Sequence, residues 1–349
     1  MVPPPANPEA NALLAQVLDT RYLDLVTPDL DAITARTQGG RVGQRLGELQ
    51  AEAQQLAANG QLLKPDNAIL RALQADLATT MKSNRTLIDQ SGSRMESAGI
   101  DAADELSTDL PLAYVAPGDQ KKAKQVLSKW KKPGKAAINQ VISVTGGDAW
   151  QESLQKYTDY PASVINNIVV NGFVNGKSAA SVVNQLQQTV GSLPTSAANT
   201  LLRTLFLNTY RKATTENYKA NADILEYAVR VAALDNRVCL ACILLHGTQI
   251  PLDEPVADHP NGRCCSVVKI VGIPLNVPTG VDWFLALDAA QQLAIMGPAA
   301  FAAWQDGAVE LTDFINLHTD DLFGGMVSVA SLISILGSAA QQYYGAVIP

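Results

Sequence analysis

All four cysteines and two of the three histidines of this 349-residue chain crowd into 27 positions, from Cys239 to Cys265. Thiolates and neutral imidazoles are the donors tetrahedral zinc prefers, and a Cys-x-x-Cys turn sets two sulfurs at the spacing it needs. Cys239-Leu240-Ala241-Cys242 is such a turn. A second knuckle follows in Asp258-His259-Pro260-Asn261-Gly262-Arg263-Cys264-Cys265. Cys264 lies 22 positions after Cys242, and His259 lies five before Cys264, so Cys239, Cys242, His259 and Cys264 make a stereochemically sensible Cys3His set. His246 competes with His259 for the nitrogen place, and Cys265 is the spare thiol. Four protein donors leave no open position for water, which is the pattern of a structural rather than a catalytic zinc ion. A Cys239–Cys242 disulfide, or four free thiols, are the alternatives the spacing leaves open.

A second chemistry lies upstream. Lys121, Lys122, Lys124, Lys129, Lys131, Lys132 and Lys135 surround Trp130. Clustered ammonium groups neutralise phosphates, and an aromatic ring among them can stack on a base or pack under an alkyl stem. A solvated helix face explains the same residues. A third chemistry, an HNH-type nuclease braced by zinc, would use Asp258, His259 and Asn261. It lacks a second His or Asn at short spacing, since His318 stands 59 positions after His259. A His259 that ligates zinc also cannot serve as general base.

The elements that must position these groups are mostly helical. Leucine-rich spacing covers about Pro8 to Gln90, with helix starts expected at Thr27-Pro28-Asp29 and Lys64-Pro65-Asp66-Asn67. Between Ser91 and Asp119 the periodicity fades and a linker is expected. An amphipathic stretch opens at Tyr160-Pro161. A helix capped by Ser178 is expected to stop at Gly191, and Pro194 to start another towards Tyr218. From Ile224 to Val231 and from Val267 to Val271 the pattern turns β-like, and these two runs are expected to pair and carry the knuckle at one end.

Charge is distributed unevenly. The net of −7 argues against a surface that binds nucleic acid throughout, but residues 1–120 carry −7, residues 121–220 carry +9 and residues 221–349 carry −9. A basic middle meets either a polyanion or the chain's own acidic flanks. Hydrophobic residues are 47% and charged ones only 17%, so much of the polar exterior is amide and hydroxyl, which suits an assembly component. The start at Met1-Val2-Pro3-Pro4-Pro5 has no basic region followed by an apolar run, so synthesis in a cytoplasm is expected, where clustered cysteines point to metal before disulfides. Leu322 to Pro349 carries no charged side chain, too diluted by glycine and glutamine to cross a membrane, and is expected to dock into a neighbouring subunit.

From Leu207 to Asp313 the chain resembles the phage head-morphogenesis, minor head or Mu F-like family. The matching pieces are Asn208-Thr209, Leu234-Asp235-Asn236-Arg237-Val238-Cys239-Leu240-Ala241-Cys242, His246-Gly247 and His259-Pro260-Asn261-Gly262-Arg263-Cys264. Downstream, Asp282-Trp283-Phe284, Gln291 to Gly297 and Trp304-Gln305-Asp306-Gly307 continue the pattern. Gly262 departs from it, standing where the family carries its first cysteine, and Cys265 is gained. The resemblance implies a structural virion protein inside the capsid near the portal vertex. It further implies portal and major capsid proteins as partners, a part in head assembly and DNA packaging or ejection, and no catalytic role or small-molecule substrate. Asp235, Asn236, Arg237 and Gly247 would shape the turns, with Arg263 able to pair with Asp235.

The expected fold is α+β, mainly α. Its regions are an N-terminal helical part (1–90), a linker (91–120), a basic central helical part (121–222), a Cys/His-braced hairpin module (223–318) and an extended apolar tail (319–349). The function expected is structural, with sequence-indifferent DNA binding as the alternative and the nuclease behind it.

Overall fold

A computed structural model describes residues 7–235 and 237–344. Helix makes up 67% of it and strand 8%, so the α+β, mainly α class holds. The helices are α1 (Pro8–Leu14), followed by a π-helical turn (Ala15–Thr20), α2 (Arg21–Gln38), α3 (Gly40–Ala58), α4 (Ala68–Ala113), α5 (Gln120–Leu127), α6 (Lys135–Val141), α7 (Asp148–Val174) and α8 (Ala179–Ala220). After them come β1 (Leu225–Val231), α9 (Leu240–Leu245), β2 (Gln249–Ile250) and β3 (Cys265–Ile270). Then follow α10 (Gly280–Leu285), α11 (Ala289–Met296), α12 (Pro298–Gln305), β4 (Ile315–Asp320), β5 (Gly324–Val329), α13 (Leu332–Leu336) and α14 (Gln341–Tyr344). The chain divides into two compact units. One holds Tyr22–Met95 and Ser143–Leu205; the other holds the described residues of Met1–Arg21, Glu96–Ile142 and Phe206–Pro349.

The first unit is all helix. Its core is made of leucine, isoleucine and valine at helical spacing, among them Ile33, Leu49, Leu70, Leu73, Leu77 and Ile88, with Trp150 fully buried. Asn67 caps α4 as expected of that start, its Oδ1 accepting from the Leu70 N–H at 3.0 Å. Ser178 Oγ likewise accepts from the Ser181 N–H, at 3.3 Å. Three expected breaks do not occur. Pro28 lies inside α2, Pro161 inside α7 and Pro194 inside α8, which also runs through Gly191. An interior proline costs about 3 kcal/mol, but Val190, Pro194, Ala198 and Leu202 are all buried at intervals of four. Breaking α8 at Pro194 would expose the next two turns of that stripe, so burial outweighs local propensity.

The expected linker is also helical, because α4 continues to Ala113. Its buried positions there include Ala98, Ala102, Ala103 and Ser107 beside Leu106 and Leu110. Small residues carry little hydrophobic signal but let backbones approach closely. A Cβ on Gly99 would stand 2.8 Å from the Phe206 carbonyl oxygen.

In the second unit β1 pairs antiparallel with both β2 and β3, giving the order β2-β1-β3. The expected pairing of the two β-like runs is present, with Ala228 opposite Val268 and Val231 opposite Cys265. The C-terminal segment is not extended. It forms the antiparallel β4–β5 hairpin, followed by short helices, and Leu332, Ala340 and Tyr343 enter the same apolar cluster as Cys242, Cys264 and Phe284. An uncharged segment buries itself on its own module when an apolar face is within reach. Residues 345–349 of the expected tail lie outside the described residues. No helix of the described residues is long and apolar enough to cross a membrane.

Candidate metal centre

Cys239 ends an extended segment and caps α9, its Sγ accepting from the Cys242 N–H at 3.5 Å. The one turn of helix between them turns both sulfurs to the same side. His259 and Cys264 come from the loop between β2 and β3, which reverses at Asn261 with φ of 60°, a left-handed conformation that asparagine tolerates better than most residues. Ligand atoms of Cys239, Cys242 and His259 all lie within 4.8 Å of one another, and so do those of Cys242, Asp258 and Cys264. Cys242 belongs to both groups. Of the four residues expected from spacing, Cys239, Cys242 and His259 thus form one group, and Cys264 joins Cys242 and Asp258 in the other.

Histidine orientation suits ligation. His259 Nδ1 lies 2.9 Å from the Pro260 carbonyl oxygen, so with its proton donated there the lone pair belongs to Nε2. Beside Cys239 the ring holds its proton, which a bound cation would displace. A hydrogen bond from Cys242, then one from His259, hold the Cys239 thiol down to about 4, while the bond to Cys239 raises His259 to about 9. Cys264 is also lowered, first by its bond with Cys242 and then by Arg230 and Arg211. Cys242 is pushed up by the same two sulfurs and by burial. Packed thiols compete for protons in this way when sulfurs share one small space, and a bound cation removes the competition by taking all of them as thiolates.

The alternates stand elsewhere. His246 is buried, and its Nδ1 accepts from the Ala232 N–H at 2.9 Å; burial lowers it to about 4. Cys265 sits on β3 with its Sγ directed to the Val231 carbonyl at 3.9 Å, and burial raises its thiol. Neither belongs to the two clusters.

The sequence singled out Asp258 only as a nuclease candidate, whereas in the structure it fixes the second knuckle. Asp258 has no exposed side-chain surface and meets Arg211 Nη2 at 2.5 Å and Arg230 Nη2 at 3.6 Å. Its Oδ2 also accepts from the Cys264 N–H and its Oδ1 from the His259 N–H, both at 2.9 Å. Burial opposes its ionisation, but Arg211 and Arg230 outweigh burial and hold its carboxyl below the usual range. Arg211, from α8, further donates to the carbonyls of Cys264 at 2.8 Å and Gly262 at 2.5 Å. Arg230, from β1, donates to the Ala257 carbonyl and, at 3.6 Å, to Cys242 Sγ. The one available signal was Arg230 itself, a charge inside the apolar run Leu225–Val231.

Gly262 is explained by the same carboxylate. A Cβ there would lie 2.3 Å from the Asp258 carboxyl atoms, so the space of a side chain at 262 is filled by Asp258. Next to it Arg263 meets Asp235 through two bonds, at 2.8 and 2.6 Å. Asn236, expected to help shape this turn, lies outside the described residues. Gly247 takes a φ of 86°, with the Pro278 carbonyl 2.9 Å from where its Cβ would be. Farther on, Phe284 packs against Trp304 with ring centroids 5.7 Å apart, and Asp288 with Gln291 forms a capping box.

The seven lysines of the basic patch are exposed. Lys131 pairs with Asp223 at 2.8 Å, Lys132 with Asp104 at 2.7 Å, and Lys122 donates to the Gly272 carbonyl at 3.1 Å. Trp130 is half-buried, edge-on to Tyr218 at 6.5 Å, which fits the packing role better than base stacking.

Residues 163–267 match the family described as Phage Mu protein F like protein. The match takes in α8, β1, both knuckles and the start of β3, and it ends before Trp283. No curated protein and no solved structure matches the chain.

Proposed function

We propose that this chain, which belongs through residues 163–267 to the phage Mu protein F-like head-morphogenesis family, is a minor head protein of a tailed phage. In this reading it stands inside the capsid near the portal vertex, contacts portal and major capsid proteins, and serves head assembly and DNA packaging or ejection. The observation that carries the structural role is the donor chemistry and burial of the centre. Cys242 and Cys264 are buried, Asp258 is enclosed by two arginines, and three sulfurs and one imidazole lie in two groups that share Cys242. Four protein donors on one ion hold a fold together and leave no place for substrate. Zinc on Cys239, Cys242, His259 and Cys264 would tie α9 to the loop before β3, with no step of a reaction passing through it.

The test is composition and fate. Purified phage heads should contain the chain at low copy, crosslinked to the portal protein, and heads made without it should form but fail to retain or deliver DNA. Its absence from heads, or normal infectivity without it, would overturn the assignment. Elemental analysis should find one zinc per chain, lost in Cys239→Ser. Intact protein without metal would remove the zinc reading and leave the head reading standing.

The exposed lysines favour a second, compatible role as a contact for packaged DNA. Neutralising Lys121, Lys124, Lys129 and Lys135 together should flatten the dependence of binding on salt by about four units of slope at most, with no change in sequence preference.

A further inference from the structure

Beyond Lys269 the chain holds no lysine or arginine, while residues 271–349 carry seven acidic side chains. Four of these flank one strand. Glu310 and Asp313 precede the body of β4, Asp320 ends it and Asp321 follows, and Glu310, Asp313 and Asp321 are exposed. β4 belongs to a sheet of two strands, so it has a neighbour on one side only. Asn316, Leu317, His318 and Thr319 are all exposed, Leu317 by 64%, whereas Met326 and Val327 on β5 are buried.

The bonding pattern of the hairpin decides which backbone groups are free. The Ala330 N–H donates to the Phe314 carbonyl at 2.9 Å, and the register sets Asn316 opposite Ser328 and His318 opposite Met326. Bonded pairs alternate along an antiparallel ladder, so the even-numbered residues of β4 turn their N–H and C=O to β5, and those of Leu317 and Thr319 turn outward. Among the described residues these outward groups have no backbone partner. Natural proteins blunt such an edge with lysine, proline or a bulge. β4 has none of the three, its register running unshifted from Ile315 to Asp320.

An open ladder takes a strand, and its surroundings select which. Acidic groups at both ends, with no cation in the segment to neutralise them, favour positive charge, and a second copy of β4 would bring only the same acids. We propose that β4 is a docking edge that accepts an extended segment of another protein as a third strand, apolar or β-branched at its centre and carrying lysine or arginine at its ends. Main-chain bonds to Leu317 and Thr319 supply affinity, and the flanking acids supply selection. This surface needs neither the metal nor a place in the phage head.

The test uses the full chain and a labelled peptide, Lys-Lys-Val-Thr-Val-Thr-Val-Lys-Lys. Binding should weaken as salt rises from roughly 50 to 200 mM, and bound peptide should slow amide exchange at Leu317 and Thr319. Leu317→Pro removes an N–H that β5 does not use, a change an edge strand tolerates, and should weaken binding about tenfold or more. Asp313→Asn combined with Asp321→Asn should weaken it about two- to tenfold. The same peptide N-methylated throughout its centre should not bind, and it decides the matter even if Leu317→Pro does not fold. Equal binding of plain and N-methylated peptides, or protection that appears away from β4, would overturn the proposal. So would Leu317 and Thr319 amides already protected in the free chain when dilute, the mark of an edge the chain fills itself. Protection that grows with protein concentration alone would assign the edge to a second copy and overturn it too.

Discussion

In the helical unit formed by Tyr22–Met95 and Ser143–Leu205, what leaves water is largely hydrocarbon. Its charged exception, Asp29, is held by Ser91 Oγ at 2.7 Å and by Arg94 at 2.5 Å, and Arg94 keeps 48% of its side chain exposed. In the Cys/His module the buried centre is itself ionic, with Arg211, Arg230 and Asp258 packed among thiols. Hydrocarbon burial is non-directional and tolerates exchange of one apolar group for another. An enclosed ion pair has no such tolerance, because removing one member strands the other. The first unit should therefore respond to volume and the second to charge.

The largest effect that would break this contrast is metal removal. Chelation, or Cys242→Ser, should abolish amide-exchange protection in β1 and β3 while Leu70 to Met81 stay protected. Equal loss in both places would show that the metal is not what holds the module. Next in size is Asp258→Ala, which leaves two buried guanidinium groups unpaired and should cost about 3–5 kcal/mol in urea unfolding. Asp29→Ala should cost about half as much or less, because Arg94 can turn to water. Equal costs would sink the distinction.

His246 gives a pH dependence. Its folded pKa of about 4 lies below the unfolded value near 6.5, so between these the unfolded chain binds more protons and stability rises with pH. The contribution is fully present above about pH 6.5 and is lost as pH falls through 4. At 1.36 kcal/mol per unit it amounts to roughly 3 kcal/mol. Urea midpoints at pH 7.5 and 5 should separate the wild type from His246→Gln, whose stability lacks this component; parallel curves would rule it out.

The smallest effect belongs to the helical unit. A Cβ on Gly172 would stand 2.4 Å from Val182 Cγ2, and valine has little rotamer freedom in a helix. Gly172→Ala should cost about 1–3 kcal/mol by overpacking, and Val182→Ala added to it should recover part of the loss. A fully additive pair would mean the two residues do not touch.

Helices with large apolar residues, such as Ile69 to Met81, were plain in the sequence because leucine and methionine at intervals of three and four mark a face directly. Ser91 to Ala113 was not, since between Met95, Leu106 and Leu110 its buried face is largely alanine, serine and glycine, and close backbone approach leaves little hydrophobic signal. The prolines misled for the opposite reason. Their local preference is strong, and what outweighs it is a stripe such as Val190, Pro194, Ala198 and Leu202, whose burial depends on the rest of the unit.

The spacing of the two knuckles by itself narrowed the donors to Cys239, Cys242, His259 and Cys264 with His246 and Cys265 as alternates, because a Cys-x-x-Cys turn and a short loop permit few arrangements; the fold is what sets His246 and Cys265 apart from the two clusters. The β1–β3 pairing was likewise marked in the sequence, by two branched runs. What only the tertiary structure decided is the company those donors keep. Arg211 is separated from Asp258 by 47 positions and Arg230 by 28, and no local pattern announces that two cations and an anion will share one enclosed space. Spacing specifies geometry along the chain, whereas the charge of a buried site is a sum over residues that meet only when the chain has folded.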